Sequence, residues 1–190
     1  MHAAVLVATL LAATPTPPGT HDLTVDPGAS WVRFAITHRL HHVDGRSTGV
    51  LGRAVIAPDG KVQAMVRVPV SSFDSGDGNR DSNMQAALEV ERFPFVTVKA
   101  AGTLSPAAAG GARPLTVPLT LDAEIDLHGV KVAQEVPAQV TFEAGGAVHA
   151  TGEFEVSLDA HRVERPSLFF VKIEDGCRIA FDLVLREARP

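Results

Sequence analysis

Strict alternation of apolar and polar residues is the main pattern along this chain. The longest instance covers residues 115–127, where every second residue is apolar and the residues between them are mostly polar or charged. A period of two is typical of a β-strand with one buried face and one solvated face. Similar patterns predict further strands over residues 22–26, 31–38, 47–57, 62–70, 95–104, 136–142, 148–158 and 177–186.

Short turn signals separate several of these strands. Glycine-containing turns are predicted at residues 58–60, 127–129 and 144–146. Because most neighbouring strands have no helix between them, we expect antiparallel pairing with tight connections. The pattern therefore predicts an all-β fold, an antiparallel meander that closes into a barrel or folds into a sandwich.

One segment breaks the alternation and predicts a short helix between two strands. Ser82 is the candidate N-cap, with Gln85 three residues later, and Met84 and Leu88 share one face before Pro94 ends the helix. Such a helix is the candidate lid or plug of a barrel.

Small residues occupy many positions predicted to face the interior of the sheet. A barrel of eight strands is about wide enough either to fill with side chains or to hold one ligand. We therefore expect an aliphatic cavity suited to a hydrocarbon chain; the alternative is that these residues relieve crowding at bends and bulges. The small inward residues are Gly52, Ala54, Ala64, Ala100, Gly102, Ala123, Ala138, Ala150 and Gly152.

Composition narrows the range of partners. The chain of 190 residues has the length of one domain and carries 17 Lys and Arg against 22 Asp and Glu, a net charge of −5. Nucleic acid is an unfavourable partner, because binding its phosphates requires clustered positive charge. Cys177 is the only cysteine, so an intramolecular disulfide is excluded, and its place on an apolar face indicates a buried, inert thiol.

The N-terminus has features of a secretory signal peptide. Residues 3–13 form an apolar run of eleven residues, and a Pro-rich stretch follows. A membrane-spanning helix requires about 20 residues, so we expect no stable membrane span. We expect residues 1–18 to be a signal peptide and its Pro-rich exit, with cleavage near Ala12 or Ala13. An uncleaved N-terminal arm is the alternative.

Three histidines near the end of the second predicted strand are candidate metal ligands. Imidazole nitrogens bind zinc and copper, and His38, His41 and His42 lie close together in sequence. His38 is predicted to point inward with Phe34 and Ile36, whereas His41 and His42 fall in a turn, so convergence on one ion is unfavourable. We therefore assign no metal and expect His38 to contact a ligand head group at the cavity mouth.

A polar stretch leads into the predicted helix. Asp77, Asn79 and Asp81 have the spacing that begins a calcium loop, but the glycine and terminal glutamate of such a loop are missing. We instead expect Asp74, Arg80 and Asp81 to form an ion-pair and capping network, because the planar guanidinium of arginine suits two carboxylates. Arg80 is also a candidate for polar contact at the mouth.

Catalytic and cofactor-binding motifs are missing from the sequence. It contains no Gly-x-Ser-x-Gly or Ser-x-x-Lys motif, no phosphate-binding loop and no dinucleotide fingerprint. A hydrolase or isomerase with Asp74 or Asp81 as base remains an alternative, and His21, His128 and His149 are expected to be solvated. The residues thus favour a binding protein without a cofactor and without enzymatic activity.

Five segments in order resemble the YceI-like family. They are residues 31–38, 72–76, 80–84, 93–96 and 127–130. The resemblance extends from about Leu23 to Leu185, and the ordered set is more specific than any one segment.

This resemblance implies a lipocalin-like, up-and-down antiparallel barrel of eight strands over residues 21–187, with one short helix. It also implies export to the bacterial periplasm or secretion, and a long apolar lipid such as a polyisoprenoid inside the barrel, for transport, storage or protection. A metal-binding periplasmic module is the alternative function, and an exposed sheet edge would allow a homodimer. The candidate ligand-binding residues are His38, Phe34, Ile36, Arg80, Met84 and Leu88.

Overall fold

The computed structural model describes residues 19–38, 41–105, 108, 112–165, 167–168 and 171–188. For residues 38, 41–42, 167–168 and 171–172 it describes the backbone only. The predicted signal peptide and Pro-rich exit, residues 1–18, lie outside the described residues. Within the described part of the chain, no helix has the length and apolar character needed to cross a membrane.

Strands make up most of the described chain. One α-helix, α1 (Gly78–Ala87), lies between the fifth and sixth strands, and a short 3-10 helix at Val70–Ser72 precedes it by a loop of five residues. The strands are β1 (His21–Val25), β2 (Trp31–His38), β3 (His41–Ser47), β4 (Leu51–Ile56), β5 (Lys61–Pro69), β6 (Phe95–Thr103), β7 (Leu115–Leu127), β8 (Val130–Phe142), β9 (Val148–Ser157), β10 (Ser167–Leu168), β11 (Val171–Lys172) and β12 (Gly176–Glu187).

Eight of these strands close into an antiparallel barrel. The order around the ring is β1, β4, β5, β6, β7, β8, β9 and β12, and β12 pairs with β1 to complete it. The ring confirms the all-β barrel and rules out the open sandwich. Strands β2 and β3 extend the ring, because β2 pairs with β12 and β3 pairs with β2.

Strands β1 and β2 share one side of β12 but are separated by residues 26–30. The register against β12 changes across this interruption, from Val25 opposite Leu185 to Trp31 opposite Asp182. Ser30 is buried there, and its hydroxyl accepts a hydrogen bond from the Val184 amide at 2.9 Å. This bond satisfies a backbone group that the interrupted ladder would otherwise leave unpaired.

The strands between residues 41 and 57 differ from the prediction. A single strand was expected over residues 47–57, with His41 and His42 in a turn. The structure instead has β3 from His41 to Ser47 and a separate β4 from Leu51 to Ile56. The prediction for the turn was wrong because β3 forms a hairpin with β2, in which His38 lies opposite His41.

The helix begins at Gly78 and not after Ser82. Asp77 is the N-cap, and its Oδ1 accepts hydrogen bonds from the amides of Asn79 at 2.9 Å and Arg80 at 3.1 Å. Ser82 lies inside the helix, where its hydroxyl donates to the carbonyl of Gly78 at 2.8 Å. The assignment of Ser82 as N-cap was therefore wrong, although both residue types cap helices well.

A side-chain clasp fastens the segment after α1 to the turn between β7 and β8. We define it by Glu89, His128 and Phe93. The Nε2 of His128 lies 3.0 Å from Oε1 of Glu89, and its Nδ1 lies 3.4 Å from the carbonyl oxygen of His161. The Phe93 ring packs edge-on against the imidazole at 5.2 Å. Only 13% of the His128 side chain is exposed, so the prediction that it is solvated was wrong.

The other described histidine side chains fall into two groups. His21 and His149 remain 38% and 37% exposed, as expected for solvated residues. His161 is buried, and its Nδ1 lies 2.9 Å from the carbonyl oxygen of Val130. This contact and the clasp join the chain after β9 to the same end of the barrel as α1.

Three inward glycines make room for neighbouring atoms. A Cβ at Gly152 would lie 2.6 Å from the ring of Phe181, and one at Gly52 would lie 2.9 Å from the carbonyl oxygen of Met65. A Cβ at Gly102 would meet a backbone oxygen at 3.0 Å. Relief of crowding, the alternative raised for small residues, therefore applies to these glycines.

We expect Gly152→Ala to destabilise the barrel by about 1–3 kcal/mol, because overpacking forces side chains and backbone to shift. Urea unfolding measures the change. Gly145→Ala is the control, since no atom lies within 4 Å of a Cβ at that turn position. Equal stability of the two variants would contradict this account of Gly152.

Removal of the Glu89 carboxylate should weaken the clasp in a pH-dependent manner. Hydrogen bonds from His128 and Arg92 lower the pKa of Glu89 from its ordinary value of 4.5. The carboxylate therefore stabilises the folded protein above that pH, and its contribution is lost as the pH falls below it.

We expect Glu89→Gln to lower the Tm at neutral pH and to match the wild type in acid, as measured by circular dichroism. Glu91→Gln, at an exposed position of the same segment, should leave the Tm unchanged. A Tm difference for Glu89→Gln that stays constant from neutral to acid pH would refute the role of its charge.

Candidate ligand-binding cavity

The barrel interior holds a cavity of about 1070 Å³. Inward side chains of all eight ring strands line it, together with residues of β2, β3 and α1. The volume lies just above the range of about 300–1,000 Å³ that is common for small-molecule pockets. The interior is therefore not filled by its own side chains.

Six alanines of the barrel strands border the cavity and account for much of its width. Four of them form a continuous row across adjacent strands: Ala54 lies opposite Ala64, Ala64 opposite Ala100, and Ala100 opposite Ala123. We call these four residues the alanine row. The prediction that small inward residues create a cavity is confirmed for the six alanines, which are Ala54, Ala64, Ala100, Ala123, Ala138 and Ala150.

Larger side chains line the opposite half of the barrel. The rings of Phe154 and Phe181 pack edge-on at 6.2 Å, and Phe34 packs against Phe73 at 5.5 Å. Phe34 and Ile36, two of the predicted ligand-binding residues, both line the cavity. The wall that faces the alanine row is thus aromatic and aliphatic.

Cys177 is part of this wall. It is buried, as predicted, and it lines the cavity beside Ile179. Burial raises the pKa of the Cys177 thiol to about 12. The thiol therefore stays protonated at neutral pH and contributes to the wall as a small apolar group.

Helix α1 lies at one end of the cavity. Arg80, Met84 and Leu88, three further residues predicted to bind ligand, line the cavity from this helix and the residue that follows it. The side chain of His38, the predicted head-group contact, lies outside the described residues. Glu164, in the segment after β9, also lines the cavity.

Ser75 organises the polar loop before α1. The Nε and Nη2 of Arg80 donate to the hydroxyl and the carbonyl of Ser75, each at 2.9 Å. Asp81 accepts from the amide of Ser75 at 3.0 Å and from its hydroxyl at 2.5 Å. Asp74 accepts from the amide of Gly76 at 2.7 Å.

Arg80 and Asp81 are therefore linked through Ser75, while Asp74 bonds separately to Gly76. Among the described ion pairs, none joins Arg80 to Asp74 or Asp81. The pattern of opposite charges does not indicate Ser75, because a serine in a polar loop carries no signal that separates it from its neighbours.

The described side chains contain no group of three His, Cys, Asp or Glu residues placed to hold a metal ion. Asp77 and Asp81, considered for a calcium loop, are engaged in the helix cap and with Ser75. The side chains of His38, His41 and His42, the alternative metal cluster, lie outside the description.

Similar solved structures share this architecture at low sequence identity. A polyisoprenoid binding domain from Saccharophagus degradans, implicated in plant cell wall breakdown, superposes with a TM-score of 0.70 at 16% identity, covering 87% of this chain and 98% of that one. BcnA of Burkholderia cenocepacia has a TM-score of 0.70 at 19% identity, with coverage of 84% and 98%. A YCEI protein from Campylobacter jejuni has a TM-score of 0.56 at 10% identity, with coverage of 82% and 91%.

Sequence comparison with family models identifies the same family over nearly the whole described barrel. No curated protein matches the chain significantly. A family model described as the YceI-like domain matches residues 23–185, a span that runs from β1 to β12 and includes the cavity wall and α1. The chain therefore belongs to the YceI-like family.

Proposed function

We propose that this protein binds one long apolar ligand, a polyisoprenoid or related lipid, inside its barrel. The observation that carries the proposal is the cavity of about 1070 Å³ with an almost entirely aliphatic and aromatic wall. Burial of each methylene group in such a wall contributes about 0.8 kcal/mol. At ~30 Å³ per group, the share that a water molecule takes in the liquid, the space suits a ligand of about 35 heavy atoms.

The chemistry of the wall and one structural neighbour support this ligand class. A branched hydrocarbon chain needs dispersion contacts and no hydrogen bonds, and the alanine row with the facing aromatic wall offers such contacts. The Saccharophagus degradans neighbour is described as a polyisoprenoid binding domain. At 16% identity that similarity by itself establishes only a shared fold, so the ligand class rests mainly on the cavity of this chain.

The predicted site residues take two roles in this proposal. Phe34, Ile36, Met84 and Leu88 contact the hydrocarbon chain of the ligand. Arg80 and His38 contact the ligand near its polar end. Helix α1, which carries Arg80 and Met84, serves as a cover at that end of the barrel.

The cellular role that we propose is transport, storage or protection of the lipid after export to the periplasm. Residues 1–18 would act as the signal peptide and Pro-rich exit, and residues 21–187 as the binding domain. A protein that shields a hydrocarbon chain from water needs a cavity and a way in, and no reaction is part of the proposal.

Native mass spectrometry of freshly purified protein tests the binding proposal. We expect a mass above that of the polypeptide, and an apolar lipid released on denaturation. If the protein is purified without a bound lipid, added geranylgeraniol should bind with one molecule per chain. A polypeptide mass alone, with no uptake of the added isoprenoid, would overturn the proposal.

Filling the space beside the alanine row should block the ligand. We expect the double variant Ala100→Leu, Ala123→Leu to weaken geranylgeraniol binding at least about tenfold, equivalent to about 1.4 kcal/mol. Its Tm should stay near that of the wild type, because the new side chains enter existing space. Isothermal titration calorimetry and thermal unfolding measure the two effects.

Ala101→Leu is the matched control, since Ala101 is exposed on the outer face of β6 beside Ala100. It should bind geranylgeraniol as the wild type does. Unchanged affinity in the folded double variant would place the ligand outside the cavity.

A further inference from the structure

The polar lining of the cavity is concentrated at one end. Arg53 is the exception, and its guanidinium pairs with Asp22 through both Nε and Nη2. The other described polar side chains of the lining lie on α1, at its N-cap, or after β9. They are Asp77, Asn79, Arg80, Asp81, Asn83 and Glu164. A lipid whose chain fills the apolar part therefore has its head group at this end.

Negative charge predominates among these side chains. Asp77, Asp81 and Glu164 supply three carboxylates, and Arg80 supplies one guanidinium. Two donors of that guanidinium are already bonded to Ser75. Hydrogen bonds from the amides of Arg80 and Asn79 lower the pKa of Asp77, which keeps this carboxylate ionised at neutral pH.

The N-terminus of α1 does not offset this charge. A helix N-terminus attracts anions because its first amides lack intrahelical partners. In this helix the Asp77 carboxylate accepts from the amides of Asn79 and Arg80, and Asp81 adds a second carboxylate in the first turn. A ligand phosphate at this position would meet carboxylates where another helix would present free amides.

We propose that the cavity selects lipids with an uncharged head group over those with a phosphate or another anionic head group. The inference rests on the proposed function and specifies the ligand class of the same site. The apolar wall accepts the hydrocarbon chain of both kinds of lipid, so the head group determines which of them binds more tightly. A phosphate monoester carries about −1.5 to −2 charges at neutral pH, so its repulsion by the mouth is electrostatic and is screened by salt.

Competition between geranylgeraniol and geranylgeranyl monophosphate tests this selectivity, because the two probes share one hydrocarbon chain. Native mass spectrometry or calorimetry at low and high ionic strength measures the ratio of their affinities. We expect the alcohol to bind at least about tenfold more tightly at low salt, and the ratio to fall as salt screens the carboxylates. Equal or tighter binding of the monophosphate would overturn the inference.

The double variant Asp77→Asn, Glu164→Gln tests whether these carboxylates cause the selectivity. Asparagine is as good an N-cap as aspartate, so the variant removes charge and keeps the helix start. We expect it to narrow the affinity ratio at low salt by several fold, mainly through tighter binding of the monophosphate. An affinity ratio equal to that of the wild type would show that the carboxylates of Asp77 and Glu164 do not cause the selectivity, and would overturn the inference.

The control double variant Glu91→Gln, Asp122→Asn removes the same charge at exposed positions that do not line the cavity. It should keep the wild-type ratio, and narrowing equal to that of the mouth variant would attribute the effect to net charge and overturn the inference. Failure of both probes to bind any of these proteins would instead overturn the proposed function.

Discussion

Closure of the backbone hydrogen-bond ring is the constraint on which the cavity depends. Strand β1 pairs with β4 on one side and with β12 on the other, so eight strands set the circumference. A ring of fixed width must be filled by side chains or remain hollow. The wall cannot collapse onto the space beside the alanine row without breaking ladder hydrogen bonds, whose loss in a buried wall is costly. The space that the small side chains leave therefore persists as a cavity.

The alternation of apolar and polar residues was sufficient to predict individual strands and which of their residues face inward. The alternation over residues 115–127 matches β7, and the inward alanines line the cavity as expected. The alignment of Ala54, Ala64, Ala100 and Ala123 into one row depends on register between four strands. Register is a long-range property, so the sequence alone could not separate cavity-forming alanines from the glycines that only relieve crowding.

Two predictions about residues at or near α1, the N-cap and the solvation of His128, were wrong because they depend on contacts that the local pattern does not show. Asp77 and Ser82 are both good N-cap residue types, but the Asp77 carboxylate accepts from the amides of Asn79 and Arg80, whereas the Ser82 hydroxyl bonds to Gly78 inside the helix. His128 was expected to be solvated because its neighbours in sequence form a turn. Its partner Glu89 lies 39 residues away, and no local pattern could connect them.

The barrel combines a hydrophobic interior with polar side chains concentrated at one end, and the position of a bound lipid tests this arrangement most directly. A crystal structure of the protein with geranylgeraniol should show the hydrocarbon chain in van der Waals contact with Ala64 and Ala100, and the hydroxyl near Asp77 and Glu164. Electron density for the lipid on the outer surface, or a barrel filled by its own rearranged side chains, would contradict the central claim.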